Sequence, residues 1–148
     1  MLSRLVNLLV GAALRSPFHS WLSGSLILIT YVGHRSGVRH TLPVRYAPYD
    51  GELVVLVGRH EQKQWWRGLR VRSPVKIRYK GRWYDASAMA LHEDADAIAP
   101  RLAAYLRRFP GSARSRGVLP GPSGEIDVAK LCALADRVVL VSIVLAQA

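Results

Sequence analysis

Gly33-His34-Arg35-Ser36-Gly37-Val38-Arg39-His40-Thr41-Leu42-Pro43 joins a dense apolar run, Leu26 to Tyr31, to a second strand-like run, Val44-Arg45-Tyr46. A short glycine-containing connection between two such runs marks a β-hairpin, so this stretch sets an antiparallel β frame for its neighbours. Gly33 and Gly37 let the backbone turn tightly. Arg35, Ser36, Arg39 and His40 stand between and beside them. With free loop N–H groups they would form a positively charged cradle suited to phosphate or carboxylate oxygens. The same residues also read as an ordinary basic loop with solvated arginines, because a Gly-rich basic turn is unspecific by itself.

Upstream, Leu2, Leu5, Val6, Leu9, Ala12 and Ala13 recur at helical spacings until Pro17 ends the pattern, which predicts an N-terminal helix. It is apolar almost all round, yet shorter than the roughly 20 residues of a membrane span and without a clear small-x-small cleavage site. It can dock on the domain, or lie in a lipid interface with Arg4 and Arg15 at the headgroups. Ser25 to Val32 is apolar on both faces, which implies a strand covered on each side, and His40 to Pro48 continues the hairpin. Asp50-Gly51 is a turn signal leading into Leu53 to Val57.

Glu61 to Arg72 places Trp65, Trp66 and Leu69 at helical spacing before Ser73-Pro74 stops it, so a short helix is expected there. Val75-Lys76-Ile77-Arg78-Tyr79 alternates strictly, Lys80-Gly81 turns the chain, and Arg82 to Leu91 returns. Acids at Glu93, Asp94 and Asp96 and a stripe of Leu102, Tyr105, Leu106 and Phe109 predict a helix over 93–108, kinked or restarted at Pro100. Pro110 to Gly124 reads as loop, Asp127 to Asp136 as a short helix, and Val138 to Leu145 as a final buried strand. The expectation is one α+β domain over 1–148, mainly antiparallel β: 1–22 the N-terminal helix and lead-in, 25–92 the core strands, and 93–148 helix, loop and last strand.

A chain of 148 residues is about one domain long and buries roughly two-thirds of its unfolded surface. Against 10 Asp and Glu stand 21 Lys and Arg, a formal net charge of +11, which calls for an anionic partner: nucleic acid, an anionic membrane surface, or a polyanionic small ligand. Cys132 is the single cysteine, so no disulfide framework or cysteine-based metal site forms within the chain, as suits a reducing cytosol. It reads as a small apolar side chain on a helix face. His19, His34, His40, His60 and His92 show no metal-binding spacing. A Walker loop, a Gly-x-Gly-x-x-Gly fingerprint and a Gly-x-Ser-x-Gly elbow are all absent, which counts against kinase and hydrolase readings.

Gly33-x-x-Ser36-Gly37, then Pro43, then Gln64-Trp65-Trp66-Arg67-Gly68-Leu69 with Ser73-Pro74-Val75, occur in an order and at spacings that resemble the deazaflavin-dependent nitroreductases, also called deazaflavin-dependent quinone reductases. The similarity runs from about Leu26 to Met89. His34 stands where members usually carry Arg, His40 where a basic residue is frequent, and Gly68 where Asn is frequent. The resemblance implies a split β-barrel of about six strands that binds the 8-hydroxy-5-deazaflavin coenzyme (coenzyme F-420), with the Gly-x-x-Ser-Gly loop on its phosphate. It further implies hydride transfer to an organic acceptor such as a quinone or nitro compound. Members known for nitro-drug activation carry tyrosines after the helix, and Phe109 to Arg114 has none, which favours quinones.

Such a coenzyme needs a phosphate anchor, a flat apolar slot and exclusion of water. The anchor would be Arg35, Ser36, Gly37 and Val38 with Arg39 and His40, plus Lys63 for the acidic tail. Pro43-Val44 and Val57-Gly58 would wall the slot. Gln64-Trp65-Trp66 would form a lid, although either tryptophan also reads as core. No side-chain nucleophile is implied, and the catalytic residues stay unassigned.

Two other readings accompany this one. FMN would suit the same barrel and cradle. Alternatively, Arg67, Arg70, Arg72, Lys76, Arg78, Lys80 and Arg82, interleaved with Tyr79, Trp83 and Tyr84, could form a stripe for nucleic acid or anionic lipid, though a solvated sheet face explains them as well. The expected setting is a cytoplasmic protein, with peripheral membrane contact through the N-terminal helix and a homodimer as open alternatives.

Overall fold

The computed structural model describes residues 24–146. The helix expected over 1–22 lies outside them. Strand β1 (Leu26–Val32) passes through the loop 33–38 into β2 (Arg39–Arg45), with Leu26 opposite Arg45 and Val32 opposite Arg39. Tyr46 makes the last contact with this side, its N–H donating to the Ser25 carbonyl at 3.2 Å and its buried ring standing edge-on to Tyr79 at 5.4 Å. The single strand expected from His40 to Pro48 is thereby divided, since β3 (Ala47–Tyr49) pairs with β4 (Glu52–Val57). Seven strands result rather than about six. Asp50-Gly51 closes that pairing, and Lys80-Gly81 closes the pairing of β5 (Ser73–Tyr79) with β6 (Arg82–His92). Both turns have positive φ at both central residues, the geometry whose twist matches two-residue hairpins.

With β7 (Val139–Leu145) the strands run in the order β2-β1-β5-β6-β7-β4-β3, every neighbouring pair antiparallel. β2 and β4 are far apart in this order, yet Leu42–Arg45 and Val55–Gly58 line one cleft. The sheet therefore curls until its two ends approach, giving a split β-barrel. Strand alternation sends Ile27, Ile29, Val55, Val75, Ile77 and Val141 into the barrel. Val54, Leu56 and Leu140 point outward beneath a helical layer. This double coverage is why β4 and β7 read as continuous apolar runs.

Helix α1 (Ala95–Arg108) supplies most of that layer through Ile98, Leu102 and Leu106, each four residues from the next and fully buried. Arg101 ties it to β4 by an ion pair with the half-buried Glu52. The helix runs as one element through the exposed Pro100, so of the expected kink or restart the restart does not occur. Its start is set by Asp94, whose carboxylate accepts from the Ala97 N–H at 3.3 Å. Asp94→Ala is expected to lower stability by about 1 kcal/mol, read as a shift in the urea midpoint at unchanged slope.

Three further expectations change. Glu61 to Arg72 forms two 3-10 turns, His60–Gln62 and Trp65–Leu69, rather than a helix. Side chains three apart eclipse in a 3-10 turn, so Trp66 and Leu69 enter the core together, while Gly68 between them disfavours a longer helix. Pro110 to Gly124 is not all loop, because Pro110 opens helix α2 (Pro110–Ser115) from the first-turn position where proline is favoured. Helix α3 (Val128–Ala135) carries Cys132 on its exposed side, not on its buried face of Leu131 and Leu134.

Several cations of the basic stripe are held locally. Arg67 and Arg70 lie over the Trp66 ring at 5.6 and 5.3 Å, Lys76 pairs with Asp85 at 3.3 Å, and Arg78 lies over Trp83 at 5.8 Å. Among the described residues no helix is long and apolar enough to cross a membrane, and no cluster of His, Cys, Asp and Glu could hold a metal.

Candidate functional site

The loop 33–38 is closed by its own backbone. The Gly33 N–H donates to the Val38 carbonyl at 2.8 Å, the Gly37 N–H to the Gly33 carbonyl at 2.9 Å, and the Val38 N–H to Ser36 Oγ at 3.2 Å. A Cβ on Gly33 would stand 2.7 Å from Ser36 Oγ, so a larger residue there would displace the hydroxyl that accepts from the Val38 N–H. Among the described residues nothing accepts from the N–H groups of His34, Arg35 and Ser36. The loop thus sets three consecutive N–H donors without an acceptor beside an exposed guanidinium and the Ser36 hydroxyl, the kind of donor set an anion requires. Gly68 packs against this loop, since a Cβ there would lie 3.0 Å from that of His34.

Two clefts share Trp65, and the smaller of them adjoins the loop. The smaller, about 220 Å³, lies between Gly33–Ser36 and Gln64-Trp65, with Tyr31 and His40 also lining it. Tyr31 contacts the His40 ring at 5.5 Å and the Trp65 ring at 6.1 Å, a continuous aromatic wall. The larger, about 450 Å³, lies between Leu42–Arg45 of β2 and Val55–Gly58 of β4. Nothing stands within 4 Å of where a Cβ on Gly58 would point, which leaves the backbone open to a flat ligand at the end of β4. Lys63, Arg45 and Arg116 line this cleft, as does Tyr105. Among the described residues no carboxylate lines either cleft.

Arg35, Ser36, His40, Gln64 and Trp65 thus share the small cleft, and Pro43, Val44, Val57, Gly58, Lys63 and Trp65 share the large one. Gly37 has φ +67 and lines neither, and Val38 is exposed at the loop edge. Arg39 points elsewhere. Adjacent strand residues face opposite sides, so while His40 turns toward Tyr31, Arg39 lines a separate cleft of about 250 Å³ with Thr30, Lys76 and Asp85. Lys63 stands at the ring-sized cleft rather than beside Arg35. Trp66 is 2% exposed, lies in the core and lines neither cleft; its indole N–H donates to the His60 carbonyl at 2.9 Å.

The cleft residues that the sequence does not single out include the polar side chains of Arg45, Tyr105 and Arg116 in the larger cleft. Arg45 was legible only as part of a strand, and Tyr105 only as part of the apolar stripe of α1. Burial holds the Tyr105 phenol above its usual range, with the Arg45 and Arg116 guanidiniums pulling in the opposite direction. Tyr105 is therefore a neutral hydrogen-bond donor at physiological pH. The structure also bears on whether a phosphate-bearing planar coenzyme suits these residues. Free N–H donors, unpaired cations and a backbone-open apolar slot meet at Trp65, and the donor set fits such a group.

Known structures share the architecture. One is an F420-H2 dependent reductase, FDR-A (TM-score 0.53, 15% identity, covering 81% of this chain and 93% of that one). Another is the conserved hypothetical protein Rv2991 from Mycobacterium tuberculosis (TM-score 0.54, 17% identity, 87% and 78%). A third is the heme storage protein HutZ from Vibrio cholerae (TM-score 0.55, 16% identity, 90% and 91%). At these identities the likeness establishes the split-barrel fold alone. No curated protein matches the sequence. The model of the F420H(2)-dependent quinone reductases matches residues 14–110, a span holding the loop, both strands of the slot and the Trp65 segment. The chain therefore belongs to the F420H(2)-dependent quinone reductase family and is an oxidoreductase that works with the reduced deazaflavin coenzyme.

Proposed function

We propose that this protein reduces a quinone-like acceptor, with the coenzyme's phosphate on the 33–38 loop and its ring in the cleft between β2 and β4. The observation that carries this reading is the pair of clefts joined at Trp65, lined by cations and, among the described residues, by no carboxylate. In this reading the free N–H groups of His34, Arg35 and Ser36, together with the Arg35 guanidinium, hold phosphate oxygens. Pro43, Val44, Val57 and Gly58 flank the ring plane, and Trp65 covers the junction and excludes water. Lys63 meets negative charge at the rim. When bound, the reduced deazaflavin supplies a hydride, because carbon stands where a flavin has nitrogen. The chain's contribution is alignment and electrostatics, which needs no covalent intermediate. Quinones are favoured over nitro compounds because Phe109 to Arg114 carries no tyrosine.

Titration of the purified protein with the deazaflavin, followed by tryptophan quenching, is expected to give a Kd on the order of micromolar. Absence of binding at tens of micromolar would remove the reading. FMN run in parallel tests the alternative cofactor. Steeply salt-dependent binding of a random oligonucleotide, without deazaflavin binding, would instead support the basic-stripe reading.

A further inference from the structure

We propose that Arg45, Tyr105 and Arg116 form an oxyanion-binding subsite for the acceptor at the helical end of the larger cleft. The proposal rests on the reading of that cleft as the coenzyme's. Arg45 comes from β2, Tyr105 from α1, and Arg116 from the residue that ends α2, so three separate elements deliver two guanidiniums and a hydroxyl to one wall. Each cation is braced by aromatic or polar neighbours rather than by an acid. Arg45 lies over the Phe109 ring at 5.5 Å, and Arg116 Nη1 donates to Ser112 Oγ at 3.0 Å. The only ion pairs among the described residues are His60–Glu61, Lys76–Asp85 and Arg101–Glu52, so no described carboxylate neutralises either positive charge. Tyr105 is buried with its ring 4.8 Å from that of Phe109, which fixes it as part of the wall.

The chemistry of quinone reduction matches this wall. A hydride carries two electrons and one proton, so its addition to a quinone gives a hydroquinone monoanion, with the negative charge on oxygen. Solvent then delivers the second proton, giving the neutral hydroquinone. Preorganised donors aimed at the oxygen where charge develops lower the barrier to the hydride step. Tyr105 keeps its own proton and acts as a hydrogen-bond donor. Trp65 marks the end of the cleft shared with the phosphate loop, whereas Tyr105 and Arg116 come from the helical layer. The subsite is thereby assigned to the acceptor and not to the coenzyme's carboxylates, which present the same anionic oxygen chemistry.

The test is calorimetric binding of two probes to the protein without coenzyme at low salt: a hydroxynaphthoquinone, anionic at neutral pH, and uncharged naphthoquinone. The wild type is expected to prefer the anion. Arg45→Gln and Tyr105→Phe are each expected to weaken anion binding about tenfold and leave the neutral probe unchanged, whereas Arg82→Gln, which matches the charge change of Arg45→Gln at the start of β6 and lines neither cleft, alters neither. Tyr105→Phe keeps the ring packing, and Arg45 is exposed, so both variants should fold. Deazaflavin affinity is expected to be unchanged in both, and quinone turnover in the loaded enzyme to fall by a similar factor. Equal binding of the two probes by the wild type, or an anion preference that survives both substitutions, overturns the subsite. Weakened deazaflavin binding in Arg45→Gln also overturns it, by assigning the wall to the coenzyme's carboxylates. A wild type that prefers the anionic probe but binds no deazaflavin would instead support the subsite and overturn the coenzyme reading.

Discussion

Trp66→Ala is expected to cost about 4 kcal/mol of folding stability, the range for truncating a buried aromatic. Trp66 is 2% exposed and packs in the barrel core with Leu69, and its indole N–H is tied to the His60 carbonyl at 2.9 Å. The rings of His60 and His92 meet it edge-on at 5.9 and 5.6 Å, and Arg67 and Arg70 lie against its face. Alanine would leave a cavity beneath the two 3-10 turns, with Leu69 as the other buried side chain of the second turn. In a domain of this size the loss corresponds to a fall in Tm of roughly 10 °C. Trp65, its neighbour, is half-buried on the cleft wall, and Trp65→Ala is expected to cost less than about 1.5 kcal/mol of stability while weakening deazaflavin binding. Urea unfolding of both variants checks the contrast. Equal losses would show that the two indoles do not divide core and site between them.

Arg35→Ala is expected to weaken deazaflavin binding about thirtyfold, the effect of about 2 kcal/mol for a lost charge-assisted hydrogen bond. Stability should move by less than about 0.5 kcal/mol, because Arg35 is exposed and its loop is closed by backbone bonds and Ser36 Oγ, none of which involves its side chain. The two numbers separate an anchor from a solvated turn, for which neither quantity would change. The control has to carry the same change in net charge away from both clefts. Arg82→Ala, at the start of β6 just after the Lys80-Gly81 turn, meets that need, whereas Arg116 does not because it lines the larger cleft. Unchanged affinity in a folded Arg35→Ala variant, measured beside Arg82→Ala at low salt, would sink the assignment of the phosphate to this loop.

Local chemistry made much of this protein readable from its residues. Asp50-Gly51 and Lys80-Gly81 announce their hairpins because the required positive φ belongs to the turn itself. Asp94 and Asp127 announce helix starts because a cap involves only residues three apart. The Gly33–Gly37 loop could be read as a cradle because its donors are contiguous in the chain. By contrast, the split of one strand at Tyr46 depends on the Tyr79 ring across the barrel. Arg39 was grouped with the loop by proximity in sequence, yet strand pairing turns it to the opposite face from His40. Adjacent Trp65 and Trp66 were alike as letters, and only packing sent one to the cleft wall and the other to the core. The larger cleft exists because the sheet curls far enough to bring β2 toward β4, and Arg45, Tyr105 and Arg116 meet there from elements up to 71 positions apart in sequence. Sequence determines what each segment can do by itself; which cations share a wall is decided by long-range strand order, which no local pattern encodes.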